Sequence, residues 1–289
     1  MRFCPPYFVG LPQWNHSDWE SGPLSGHSTH RALTRYARFF NSVEGNTTFY
    51  GIPDSISVNR WETEVPDHFK FCFKMPQTIT HRRGLHDTRH LVVEFLDQLH
   101  PIHEKIGLIC IQLPATFSPK QLPILEAFLK ELPQDWNYSV EVRHLDFFNK
   151  QAEEKEFNQL LAQLEINRTL FDTRWLFAEP QDDEITQEAL QNKPRVPLHV
   201  LATGQQPMVR FISPLQWQHT DKWLEPWINK VIQWIDEGKT PYLFFHTPDN
   251  REAPLLARHF CQLLENTRPS LTNPLSWPDA MHDQSSLFD

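Results

Sequence analysis

Charged side chains stand at or near the ends of the short strand-like runs of this sequence, where they could bind an ion or transfer a proton. The group comprises Glu44, Lys74, Glu141, Arg143, Asp172 and Arg210. Side chains alternate along a strand, so Glu141 and Arg143 share a face. Burying several charges costs free energy unless they are paired. We therefore expect all six to converge, as an ion-pair network, a site for a charged ligand, or both.

Three interpretations of this cluster stay open. The first is an enzyme pocket whose catalytic candidates are Glu44, Lys74, Glu141 and Asp172, since carboxylates beside a lysine can tune its pKa for acid–base chemistry. The second is a metal site built from Glu44, Glu141, Asp172 and His246. No short ligand motif such as HExxH accompanies these residues, and we assign no metal ligand. The third is a network in which interior charges only satisfy one another.

The ligand-binding candidates surround the same strand ends. They are Arg143, Arg210, His246, Asn46, Tyr50 and Trp14. Paired arginines suit phosphate or carboxylate groups because the guanidinium presents a planar fork of donors. We expect a small anionic or phosphorylated ligand. The sequence identifies neither the reaction nor a cofactor.

A second, different function is suggested by the C-terminal residues Q-S-S-L-F. Gln284, Leu287 and Phe288 resemble the polar hook and apolar anchors of peptides that dock on the bacterial replicative sliding clamp. The alternative function is therefore a non-catalytic factor of DNA metabolism recruited through this tail. The competing interpretation, which so short a motif favours, is an inert tail.

The composition restricts the class of protein. The chain has 289 residues, 39% of them hydrophobic, with a formal net charge of −9. An acidic chain does not favour nucleic-acid coating, which depends on basic surfaces. The four cysteines lack CxxC spacing, which is typical of reduced, buried thiols. No run reaches the roughly 20 apolar residues of a membrane span, and we expect a cytoplasmic protein.

The elements that must position these residues alternate between strand and helix. The eight strand-like runs are 8–10, 41–46, 69–76, 107–114, 138–144, 169–174, 208–213 and 241–250, each followed by helical or partly helical sequence. Eight such units predict one (β/α)8 TIM barrel over residues 1–266. The sixth unit is the least regular, because Trp175–Pro197 is polar and bounded by proline. Residues 267–289 are predicted to form an extended tail.

Several separated motifs occur in a familiar order. The runs FNSVEGNTTFYGIP, VPDHFKFCFKMPQTITH, LICIQLP and SVEVRHLDFF resemble the domain-of-unknown-function family 72, also called the YecE-like family. The similarity extends from Val9 to about Leu264. It implies a TIM-barrel fold and carries no established reaction. Departures from the family pattern fall at Leu11 to Gln13, at Ser213, and at His246 with Thr247, all at the expected mouth of the barrel.

Overall fold

A computed structural model describes residues 5–19, 24, 31–178, 183–219 and 221–271. Within these ranges, eight parallel strands form one sheet in the order β1-β8-β7-β6-β5-β4-β3-β2. The strands are β1 (Phe8–Gly10), β2 (Ser42–Gly45), β3 (Lys70–Lys74), β4 (Ile106–Gln112), β5 (Tyr138–Glu141), β6 (Asn167–Asp172), β7 (Met208–Ile212) and β8 (Tyr242–His246). The predicted (β/α)8 TIM-barrel fold is confirmed.

Helices connect the strands and cover the outside of the sheet. They are α1 (Ala32–Tyr36), α2 (Ser55–Glu64), α3 (Arg89–Leu99), α4 (Leu122–Lys130), α5 (Ala152–Gln163), α6 (Arg174–Ala178), α7 (Glu184–Asn192), α8 (Asp221–Asp236) and α9 (Ala253–Thr267). The longest of them, α8, buries Leu224, Trp227, Ile228, Val231 and Trp234 on one face. This spacing of apolar residues is the signature of a helix packed on a core.

The strands are buried on both sides, as the continuous apolar runs of the sequence predict. All seven residues of β4 are buried, because the helical layer covers one face and the barrel interior fills the other. The lower interior is apolar and contains Phe8, Cys72, Leu108, Met208, Tyr242 and Phe244. Among the described residues, the buried charges Glu44, Glu141 and Arg210 lie near the carboxyl ends of β2, β5 and β7.

The barrel is nearly closed, and the contact between β1 and β2 completes the circle without a regular ladder. The hydroxyl of Tyr36 bridges the two strands, accepting from Leu11 N at 2.8 Å and donating to Ser42 O at 2.8 Å. The amide of Glu44 donates to Leu11 O at 3.0 Å. Gly10 is required here because a Cβ at this position would lie 2.3 Å from Ser42 O. This close approach fixes the position of Glu44.

The sixth unit is irregular, as predicted. Two short helices, α6 and α7, precede a stretch without regular structure at residues 193–207, which leads into β7. The segment after β3 contains a π-helical turn over Thr78–Arg82. In the parts of the chain that the structure describes, no helix has the length and apolar character of a membrane span.

The C-terminal tail stays a prediction. Helix α9 ends at Thr267, close to the predicted boundary, and the description of the chain stops at Leu271. Gln284, Leu287 and Phe288 lie outside the described residues. Docking on a sliding clamp is therefore untested.

Candidate functional site

A cavity of about 630 Å³ opens at the carboxyl ends of the strands, the end of a TIM barrel at which functional sites lie. Eight residues singled out from the sequence line it: Trp14, Glu44, Asn46, Tyr50, Lys74, Arg143, Arg210 and His246. Their side chains converge because they come from six of the eight strands, or from the segments that follow those strands, at one end of the barrel.

Arg210 occupies the centre of the charged cluster. Its Nε donates to Glu44 Oε2 at 3.0 Å, and its Nη2 lies 2.5 Å from Glu44 Oε1. The Nη1 atom of Arg210 pairs with Glu141. All three side chains are buried. Burial alone would raise the pKa of Glu44, but Arg210 and then Lys74 hold that pKa well below its usual range. Burial alone would lower the pKa of Arg210, but Glu44 raises it.

Lys74 lies beside this pair at the end of β3. Its Nζ is 3.6 Å from Glu44 Oε1 and 5.8 Å from the ring centroid of Phe49. Only 16% of the side chain is exposed. Burial and the neighbouring charge of Arg210 lower the pKa of Lys74 to about 8, although Glu44 opposes the shift. The ammonium is thus far easier to deprotonate than that of a surface lysine.

His246, at the end of β8, contacts the other oxygen of the same carboxylate. Its Nε2 lies 3.6 Å from Glu44 Oε2. Burial lowers the pKa of His246 to about 4, with only partial compensation by Glu44. The imidazole is therefore neutral at pH 7.

The outer wall of the cavity is cationic. Arg143 donates to Glu141 Oε1 at 2.8 Å, and 27% of its side chain remains exposed. Lys193 also lines the cavity and is half-buried. Burial lowers its pKa, while Glu44 acts in the opposite direction. Sequence reasoning missed Lys193, because it follows α7 in an aperiodic segment and no strand end marks it.

The charges around the cavity do not balance. Among the described residues of this cluster, four cationic side chains face two carboxylates, which leaves a surplus of two positive charges. The cations are Lys74, Arg143, Lys193 and Arg210, and the carboxylates are Glu44 and Glu141. The inner arginine is neutralised by its two carboxylate partners. The uncompensated positive charge therefore lies mainly on the side chains that face the open part of the cavity.

Asp172 does not join this cluster, and the expectation that it would is wrong. It accepts a hydrogen bond from Trp227 Nε1 of α8 at 2.7 Å and two from the Arg174 guanidinium at 2.9 Å. The register pairs Phe171 with Arg210, and Phe171 lines the cavity. Alternation along β6 then turns Asp172 towards the helices. Its role is to tie β6 to the outer layer.

The four candidate metal ligands, Glu44, Glu141, Asp172 and His246, therefore do not come together around one position. Asp172 lies on the opposite side of the sheet, and Arg210 occupies oxygens of both Glu44 and Glu141. Within the described ranges, no group of three or more histidine, cysteine, aspartate or glutamate side chains is arranged to hold a metal ion.

The rim of the cavity is partly aromatic. Trp14 packs edge-on against Trp61, with ring centroids 5.9 Å apart. Tyr50 is 76% exposed although it borders the cavity. Asn46 donates to Pro12 O at 2.8 Å and so anchors the loop after β1. The rim thus offers apolar surface around a charged interior.

Barrel and cavity together define a class: a TIM-barrel protein with a charged, cation-rich cavity at the carboxyl ends of its strands. A family model described as "Protein of unknown function DUF72" matches residues 8–280. The chain therefore belongs to the DUF72 family, in agreement with the resemblance of its sequence motifs.

Relatives of this chain include proteins named "UPF0759 protein YecE". The one from Escherichia coli strain K12 is 41% identical over 97% of this chain and 99% of the relative, and the one from Escherichia coli O157:H7 is 40% identical over the same shares. A crystal structure of a DUF72 family protein from Thermotoga maritima covers 90% of this chain and 99% of its own, with 22% identity and a TM-score of 0.68. Another, from Enterococcus faecalis, covers 91% and 99%, with 19% identity and a TM-score of 0.65. At these identities the two structures support the fold alone.

Proposed function

We propose that this protein binds a small anionic molecule, carrying a phosphate or carboxylate group, in the cavity at the carboxyl ends of the strands. The single observation that carries the proposal is the surplus of two positive charges in a half-enclosed space. A partly buried cation is costly unless an anion compensates it. A bound anion would supply that compensation.

The geometry suggests which side chains receive the anion. Arg210 is already paired with Glu44 and Glu141, so it acts mainly to hold the inner wall. Arg143 keeps part of its guanidinium exposed, and Lys193 lines the same space. We assign the anionic group to these two outer cations. Charge-assisted hydrogen bonds to an arginine suit a phosphate or carboxylate, whose oxygens match its donors.

The size and lining of the cavity fit a metabolite. A volume of about 630 Å³ lies within the roughly 300–1,000 Å³ of small-molecule sites. Phe171 and Trp14 provide apolar surface beside the charged wall. Such a mixture of apolar surface and a few polar groups is typical of ligand sites.

Calorimetric titration of the full chain with inorganic phosphate, and with phosphorylated and carboxylated metabolites, tests this proposal. Arg143→Met and Lys193→Met should each weaken binding about 10-fold or more, because a hydrogen bond to a charged group contributes about 1.5–3 kcal/mol. The matched control is Lys130→Met on α4, where the side chain is exposed and binding should be unchanged. Absence of anion binding by the wild type, or equal affinity in all variants, would overturn the proposal.

A further inference from the structure

Lys74 and Arg210 are the two cations that pair with Glu44, and Lys74 makes the weaker ion pair of the two. Among the residues that the structure describes, it pairs with one carboxylate, Glu44, at 3.6 Å. That carboxylate already receives Arg210 at 3.0 Å and 2.5 Å. Because the arginine makes the shorter contacts to both oxygens, Glu44 leaves little negative charge to compensate the ammonium of Lys74.

The surroundings of Lys74 favour its neutral amine. The side chain is largely withdrawn from water, and the positive charges of Arg210 and Arg143 lie close enough to act on it. A pKa of about 8 leaves roughly a tenth of the amine neutral at pH 7. An ordinary lysine, with a pKa near 10.4, is neutral in only about one molecule in 2,500 at that pH. A desolvated lysine near another cation is an activated nucleophile.

We propose that Lys74 is a nucleophile that forms an imine with a small carbonyl compound bearing a carboxylate or a phosphate. The inference rests on the anion-binding function proposed above and adds a chemical class to it. Arg143 and Lys193 bind the anionic group, and Lys74 reaches the carbonyl carbon from the inner wall of the same cavity.

The step balances without an oxidant or reductant. The ammonium of Lys74 first releases a proton to water in the open cavity. The nitrogen lone pair then attacks the carbonyl carbon, the carbon–oxygen π electrons move to oxygen, and proton transfer gives a carbinolamine. Protonation of its hydroxyl lets water leave, and the nitrogen lone pair forms the carbon–nitrogen double bond. The iminium carries one positive charge, as the ammonium did, so the net charge of the cavity is the same before and after the reaction.

Reductive trapping of the full-length protein tests the proposal. The protein is incubated with pyruvate or with dihydroxyacetone phosphate in the presence of sodium cyanoborohydride, and adducts are located by intact mass and peptide mapping. We expect one adduct per chain, on Lys74, with at least one of the two probes. Lys74→Arg keeps the charge but cannot form an imine, and should reduce the adduct at least 10-fold. Lys130→Arg, at an exposed site, should leave it unchanged.

The outcomes separate this inference from the anion-binding proposal. Adduct spread evenly over surface lysines, or unmodified Lys74 with both probes, would overturn the imine. Calorimetric titration with the same probes, without reductant, then tests the anion-binding proposal alone. Binding of a probe without formation of an adduct would support the anion site and contradict the imine, whereas absence of binding would contradict both proposals. Peptide mapping of the wild type keeps the test decisive if Lys74→Arg fails to fold.

Discussion

Replacing Glu44 by glutamine tests the charged interior of the barrel most directly. Glutamine keeps the shape of the side chain and one acceptor oxygen but removes the negative charge. Arg210 would then depend on Glu141 alone, and Lys74 and His246 would lose the carboxylate that they share. The interior would hold more uncompensated positive charge than the wild type.

The expected loss of stability is large because the pair is buried. Glu44 and Arg210 are both almost inaccessible to solvent. Removing one partner of a buried ion pair costs about 3–5 kcal/mol, since the remaining charge stays desolvated. We expect Glu44→Gln to lower the free energy of unfolding by about 3 kcal/mol, the lower end of this range, because the amide oxygen can still accept a bond.

Urea denaturation followed by far-ultraviolet circular dichroism measures this change. With a slope of about 3 kcal/mol per molar urea, the midpoint should fall by about 1 M. The control is Glu126→Gln on α4, where Glu126 pairs with Lys130 at 2.6 Å but is 45% exposed. Exposed helical pairs contribute about 0.3–0.5 kcal/mol, so this midpoint should hardly move.

The pH dependence gives a second test of the same reasoning. Because the folded-state pKa of Glu44 is lowered, its ionised form stabilises the protein above the pKa of an unfolded glutamate. That contribution is lost as the pH falls through the folded-state pKa. The difference between wild type and Glu44→Gln should therefore shrink in acid. A loss at pH 7 no larger than that of Glu126→Gln would refute the view that this buried pair stabilises the barrel.

Four further predictions concern single positions. Gly10→Ala should lower stability by about 1–3 kcal/mol in urea denaturation, because a Cβ would collide with the carbonyl of β2 facing it. Asp172→Asn should lower stability without changing anion affinity by calorimetry, since its bonds go to the helical layer. The wild type should become less stable as the pH falls from about 6.5 to about 4, because the unfolded state then binds a proton that buried His246 does not. His246→Asn should remove up to roughly 3 kcal/mol of this loss, measured by urea denaturation at each pH. Modification of Lys74 by trinitrobenzenesulfonate, followed by peptide mapping, should accelerate about 10-fold between pH 7 and pH 9 and then level off, whereas an ordinary lysine accelerates about 100-fold.

The architecture was predictable because the strands are separate short runs that alternate with helical sequence, and some of them are continuously apolar. The run from Gly107 to Pro114 predicted a strand buried on both faces, and β4 has that burial throughout. Eight such runs alternating with helical sequence leave few topologies other than a barrel. Strand ends were less predictable: the fifth strand, expected to reach His144, stops at Glu141. Just beyond that end, Arg143 Nε donates to Glu141 Oε1 at 2.8 Å.

The candidate site was only partly predictable, and Asp172 shows why. A strand buried on both faces has no polar side to reveal which residues point inward, and a shift of one residue reverses the assignment. Lys193 was missed for a different reason. Its position in the cavity depends on how the irregular segment after α7 crosses the barrel, and no local pattern encodes that path.

The pairing of Glu44 with Arg210 joins residues 166 positions apart in the chain. Contacts between such distant residues form late, because the entropy of closing the intervening chain opposes them until most of the barrel is assembled. The pair then contributes little to the transition state for folding. Its loss should appear as faster unfolding, with refolding almost unchanged. The charges that line the cavity would therefore also slow the unfolding of the protein.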